Sequence, residues 1–161
     1  MSDMETHANV IAVQDALAAA GASDTARVIV LDDAVHTAAA AAAALGVEVG
    51  RIANSLIFDA DGEPLLVLTS GAHRDDTAKV AAGLGLGKLR RATPEFVREH
   101  TGQPIGGVAP LGHPKPVRTL VDVALERYDV VWAAGGVPRA VFPITYAELV
   151  RVTNGTPAEV A

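Results

Sequence analysis

The sequence predicts an α+β (mixed α/β) fold in which one curved sheet carries helices packed on it, within a single domain spanning residues 1–161. Segments that read as strands outnumber those that read as helices, and several are joined by turns of hairpin length. The 161 residues, half of them apolar and one-fifth charged, suffice for one core and are too few for two of comfortable size. No internal repeat or linker divides the chain.

In chain order, Val10, Val13 and Leu17 recur at helical spacing between His7 and Ala20, and Gly21 stops the helix. Ala26 to Leu31 is short and β-branched and reads as a strand. Seven alanines, Ala38–Ala44, follow Thr37 and precede Gly46. Alanine has the best helix propensity, Thr37 suits an N-cap and Gly46 a C-cap, so an ordered helix lying close against the sheet is expected. Asn54–Phe58 and Pro64–Thr69 flank the Asp-Gly turn signal at Asp61-Gly62 and read as a β-hairpin. Its second arm, Leu65–Leu68, does not alternate, which predicts cover on both faces. A helix opens at Asp75-Asp76 and runs to Leu84. Lys88–Arg91 is a short extended piece. Thr93-Pro94 opens a helix that Gly102 ends. Val117–Leu125, Val130–Ala133 and Arg139–Ile144 read as strands. Thr145 caps a last helical turn, Arg151–Thr153 reads as a further short strand, and Asn154 onwards reads as tail.

Composition excludes several function classes. There is no cysteine, so disulfides, thiolate metal sites and a Cys nucleophile are ruled out. A formal charge of −6 argues against broad electrostatic binding of nucleic acid, while two small basic groups remain as local contacts: Lys88, Arg90, Arg91 and Arg98, then Lys115 and Arg118. The alanine tract is far shorter than a membrane span. Met1–Glu5 is acidic and unlike a secretory signal, so a soluble cytoplasmic protein is expected. His73-Arg74-Asp75-Asp76 has the wrong spacing for a zinc set and reads as a solvated helix start. His113 reads as a solvated loop residue. Asp122 lies inside an apolar strand and needs a partner, for which Arg118 or another basic group is expected.

The stretch Gly102 to Pro114 concentrates glycine and proline and has no charged side chain before His113. Adjacent Gly106 and Gly107 allow positive φ and close backbone approach, and the prolines stiffen the loop. Its amides are suited to receive negative charge, on a phosphate or on a developing oxyanion. A tight connection between strands is the plain alternative.

Four blocks in register carry a resemblance. They are His36-Thr37 before the alanine helix and Leu45-Gly46-Val47; Arg51–Phe58; Gly106-Gly107-Val108-Ala109-Pro110; and Ala133–Gly136, followed by a strand and Thr145 to Leu149. From about Val28 to Gly155 the chain resembles the YbaK/EbsC family of prolyl-tRNA editing domains, found free-standing and inserted in bacterial prolyl-tRNA synthetases. The resemblance implies a barrel-like mixed sheet flanked by helices. It implies a trans-acting deacylase that hydrolyses mischarged tRNA, with tRNA(Pro) foremost, at the 3′ aminoacyl ester, without metal or cofactor. Mischarged tRNA is then the partner, prolyl-tRNA synthetase a second candidate, and no membrane is involved.

Taken with the glycine loop, the resemblance sets Asn54, Gly106 and Gly107 as catalytic positions. His36, Thr37, Ser70, Val108, Ala109, Pro110, Ala134 and Gly135 become substrate-binding ones. His36 is the best-placed histidine, just before a helix that starts near the site; a capping or surface role is its plain alternative. Asn54 stands where the family usually has Lys, which removes a positive charge and its reach. The alternative function is therefore a catalytically weakened module of the same fold that binds the tRNA end or regulates. An aminoacyl ester is already activated, so a placed water, an oxyanion site and a tight acyl pocket suffice without a protein nucleophile.

Overall fold

The computed structural model describes residues 7–161; Met1–Glu5, read above as acidic, lies outside them. The hairpin at its centre is local in origin. Strand β2 (Ile52–Ala60) and strand β3 (Glu63–Ser70) pair antiparallel from Ala53↔Ser70 to Ala60↔Glu63. Gly62 N–H donates to Asp59 Oδ1 across the turn, with Asp61 and Gly62 both at positive φ. Leu66 and Leu68 enter the main core while Leu65 and Val67 enter a second core on the opposite face, as the lack of alternation predicts. Each such buried side chain contributes roughly 1.5–3 kcal/mol.

Six further strands extend the sheet: β1 (Ile29–Val30), β4 (Arg90–Arg91), β5 (Arg118–Asp122), β6 (Val131–Ala134), β7 (Ala140–Ile144) and β8 (Thr156–Ala158). Their order is β1-β7-β6-β2-β3-β5-β8, with β4 paired to β2 off this path. The pairs β2/β6, β3/β5 and β5/β8 are parallel and the others antiparallel. The sheet is mixed, as expected, but it does not close: β1 and β8 are its ends.

Among the described residues five helices pack on it: α1 (Ala8–Ala19), α2 (Ala38–Leu45), α3 (Thr77–Leu84), α4 (Pro94–Thr101) and α5 (Tyr146–Thr153). Val13, Leu17, Val97 and Leu149 from α1, α4 and α5 join the main core, and Val80 and Ala81 from α3 the opposite one. Ala41 and Ala42 of α2 lie against Ile52. Thr37 and Thr93 cap α2 and α4 as their sequence positions predict, accepting from Ala40 N and Phe96 N, and Gly46 closes α2 in the left-handed region. No helix among the described residues is long and apolar enough to cross a membrane.

Three segments differ from their sequence reading. The first strand shrinks to Ile29–Val30 because Val28 N–H donates to Gln14 Oε1 of α1 rather than to a strand. The segment Val117–Leu125 is a strand only to Asp122, whose carboxylate accepts from Ala124 N and turns the chain into a 3-10 helix, Val123–Arg127. Arg151–Thr153 belongs to α5, and the expected tail supplies β8 beside β5.

Candidate active site

Strand β2 has β3 along one edge, but its other edge is shared. Strand β6 pairs with it only at Ile52 and Ala53, and β4 only at Phe58 and Asp59. Between these, residues 54–57 have no strand neighbour on that side among the described residues. The parallel strands β2 and β6 part there, and a hollow opens in the gap. Its enclosed part measures about 40 Å³, and its walls include His36, Thr37, Asn54, Gly106, Trp132 and Ala134. One water needs about 10–15 Å³ on a comparable measure, so only a very small group is fully accommodated. Among the described residues, the walls carry no titratable side chain apart from His36.

Each wall is held from the sequence upward. Val35 N–H donates to Pro138 O, and Thr37 caps α2, so His36 is suspended between two anchored residues. Gly106 has φ +90°, and a Cβ placed on it would lie 2.9 Å from His36 Nδ1, so the imidazole sits directly over a position that only glycine leaves open. The Gly106 amide and the Asn54 side chain have no hydrogen-bond partner among the described residues.

Of the residues singled out in the sequence, His36, Thr37, Asn54, Gly106 and Ala134 converge on this hollow. The others stand behind it. Gly107 N–H closes a turn to Pro104 O, and a Cβ there would fall 2.6 Å from the Val137 carbonyl carbon. Gly107 thus lets the loop lie against the Val137-Pro138 backbone, and its amide is already engaged. Val108 and Ala109 are core residues, Pro110 is buried, and Ala109 N–H donates to Gln103 Oε1. Gly135 N–H donates to Ala140 O. Ser55, Trp132 and Pro138 also line the hollow and were not singled out. Ser55 stands beside Asn54 in β2, and its hydroxyl is covered and without a partner among the described residues. Trp132 is the only tryptophan, an available signal.

Ser70 belongs to a different polar group, on the far edge of the hairpin. Its N–H donates to Asp122 Oδ2 and its hydroxyl to Gly50 O. Asp122, 1% exposed, also accepts from Ala124 N and lies 3.1 Å from His73 Nδ1. Of the basic partners expected for Asp122, His73 takes the place and Arg118 does not: Arg118 and Asp122 share a face of β5 but are four residues apart, roughly 13 Å along a strand. His73 is therefore paired rather than a bare helix start. Nearby, Thr69 donates its hydroxyl to Asp75 Oδ1. Burial first, then the charge of Asp122, pushes the Asp75 carboxyl up to about 6 against the opposing Thr69 bond. His113 is half-buried rather than solvated; Nε2 lies 2.8 Å from Ala109 O, and burial holds its pKa below the usual histidine value.

None of the six basic residues lines the hollow. Arg90 and Arg91 pair with Asp59 and Phe58, and Arg118 with Leu65, toward the turn of the hairpin. Asn54 and Asp59 are five residues apart, roughly 17 Å of strand.

The site is thus an uncharged hollow at a parted strand pair of a mixed sheet, with Gly106 of the glycine loop in one wall. Residues 32–152 match the aminoacyl-tRNA editing domain family. The chain belongs to that family. It is 36% identical over 110 residues to the uncharacterised protein YwhH of Bacillus subtilis (strain 168), covering 68% of this chain and 69% of that one. It is 37% identical over 100 residues to a proline–tRNA ligase of Nitratidesulfovibrio vulgaris (strain DP4), covering 62% of this chain but 17% of the ligase. A solved structure described as a candidate trans-editing enzyme for prolyl tRNA synthetase superposes with a TM-score of 0.88 at 43% identity, covering 96% of this chain and 97% of that one.

Proposed function

We propose that this chain is a trans-acting aminoacyl-tRNA deacylase, hydrolysing the 3′ aminoacyl ester of mischarged tRNA, with tRNA(Pro) as its first candidate and prolyl-tRNA synthetase as the enzyme it serves. The carrying observation is the hollow at the β2/β6 parting, where Asn54, His36 and Gly106 meet around a space that fully accommodates only a very small group. In this reading the acyl side chain enters the hollow and the ester carbonyl faces Gly106 N–H. A pre-placed amide donor at a developing oxyanion is worth roughly 2.7–4 kcal/mol. Asn54 holds the ester or the ribose beside it with neutral hydrogen bonds. The descriptions of the relatives, which name a proline–tRNA ligase and a candidate trans-editing enzyme, support the choice of tRNA.

The test is a single-turnover panel of tRNA(Pro) charged in turn with alanine, serine, cysteine, threonine and proline. The expected outcome is hydrolysis of at least one small acyl group with prolyl-tRNA left intact. A folded protein that cleaves none of them contradicts the reading.

A further inference from the structure

We infer that His36 is the proton-transfer residue of the deacylation, an inference that rests on the deacylase reading above. Hydrolysis of an ester requires that the attacking water lose a proton and that the leaving oxygen gain one. Among the described side chains that wall the hollow, His36 alone carries a group able both to accept a proton and to return it. Asn54, where the resemblance leads one to expect a lysine, can donate and accept hydrogen bonds but cannot titrate.

Geometry places the imidazole at the glycine loop. Its Nδ1 stands over Gly106, 2.9 Å from where a Cβ would be, so the ring and the Gly106 backbone face one wall of the same hollow. The ring is presented by backbone anchoring on both sides: Val35 N–H to Pro138 O, and Thr37 Oγ1 accepting from Ala40 N. His36 is exposed at the mouth of the hollow, open to water and to the ribose of an entering 3′ end. An imidazole nitrogen takes a proton from water as the water oxygen bonds to the ester carbonyl carbon, and the oxyanion faces the Gly106 amide. The C–O3′ bond then breaks, the imidazolium returns its proton to O3′, and the free amino acid and the 3′-hydroxyl leave.

The experiment compares wild type, His36→Gly and His36→Gln in single-turnover hydrolysis of the best substrate, with binding of a non-hydrolysable 3′-amide analogue of that aminoacyl end measured in parallel. General acid–base catalysis by one side chain contributes about 10²–10⁴-fold. The expected result is a loss of at least about 100-fold in both variants, analogue binding within about threefold of wild type, and partial recovery of His36→Gly by free imidazole. Melting curves check that the variants fold, which exposure of the side chain favours. Rates within about threefold of wild type overturn the inference and leave the deacylase reading standing. So does a loss that imidazole does not restore, which makes His36 a substrate-holding residue. Silence of wild type on every charged tRNA overturns both.

Discussion

The two edges of the central hairpin carry polar groups of opposite character. On the β2 edge, Asn54, the Gly106 amide and the Ser55 hydroxyl have no partner among the described residues, and the one titratable side chain is exposed. On the β3 edge, only one register step away, Ser70, Asp122, His73, Thr69 and Asp75 are tied to one another or to backbone, and two of them are carboxylates. A buried polar group costs about 1–3 kcal/mol when it is left unpaired. The partnered cluster, in which Asp75 Oδ2 alone is buried without a bond, therefore fixes the junction of β3, β5 and the following 3-10 helix. The group on the β2 edge leaves the Asn54 side chain, the Gly106 amide and the Ser55 hydroxyl beside the hollow without partners among the described residues.

The largest effect belongs to the β3 edge. Asp122→Ala strips the acceptor from the Ser70 and Ala124 amides, so urea unfolding should show a loss of about 3 kcal/mol. Deacylation per folded molecule should change by less than about threefold. A variant of wild-type stability would break the contrast between the two edges.

On the open side, Asn54→Lys should raise single-turnover hydrolysis about five- to thirtyfold. A charge-assisted hydrogen bond gains roughly 1–2 kcal/mol over a neutral one, and that difference acts directly on the barrier. An unchanged rate would show that Asn54 does not touch the substrate.

The smallest effect is at Asp75. Its folded carboxyl titrates near 6 instead of 3.8, so the protonated form is the one the fold favours. Its contribution to stability is present below about pH 3.8 and is lost as pH rises through about 6. Asp75→Asn, neutral throughout and still able to accept from Thr69, should match wild type at pH 4. It should be more stable at pH 8 by about 1 kcal/mol, after allowance for solvent screening at a partly open group. Thermal melts at the two pH values measure this, and a variant less stable at pH 8 reverses the sign.

Local features were legible in the sequence. Thr37, the alanine tract and Gly46 define α2 without outside help, and Asp59–Gly62 defines the hairpin turn. The convergence of Asn54, Gly106 and Ala134 was legible because each interrupts an apolar segment with a polar or small residue. Non-local features were not. Strand β8 exists because Leu120–Asp122 offer Thr156–Ala158 a parallel edge, and the Asp122–His73 pair joins positions 49 residues apart. Nor could spacing show that the Gly107 amide closes on Pro104 while that of Gly106 has no acceptor among the described residues, since both glycines read alike.

That last difference permits the most direct test. Gly106→Ala sets a methyl group against the His36 ring at a φ that non-glycine residues rarely adopt, and should cost about 1–3 kcal/mol of stability, a loss from which folding recovers. Single-turnover hydrolysis of mischarged tRNA(Pro) by wild type and by Gly106→Ala, both shown folded by melting curves, is the decisive measurement. If the hollow at the β2/β6 parting is the catalytic site, wild type is active and the variant falls by at least about 100-fold. A folded Gly106→Ala protein with the wild-type rate would place the chemistry elsewhere.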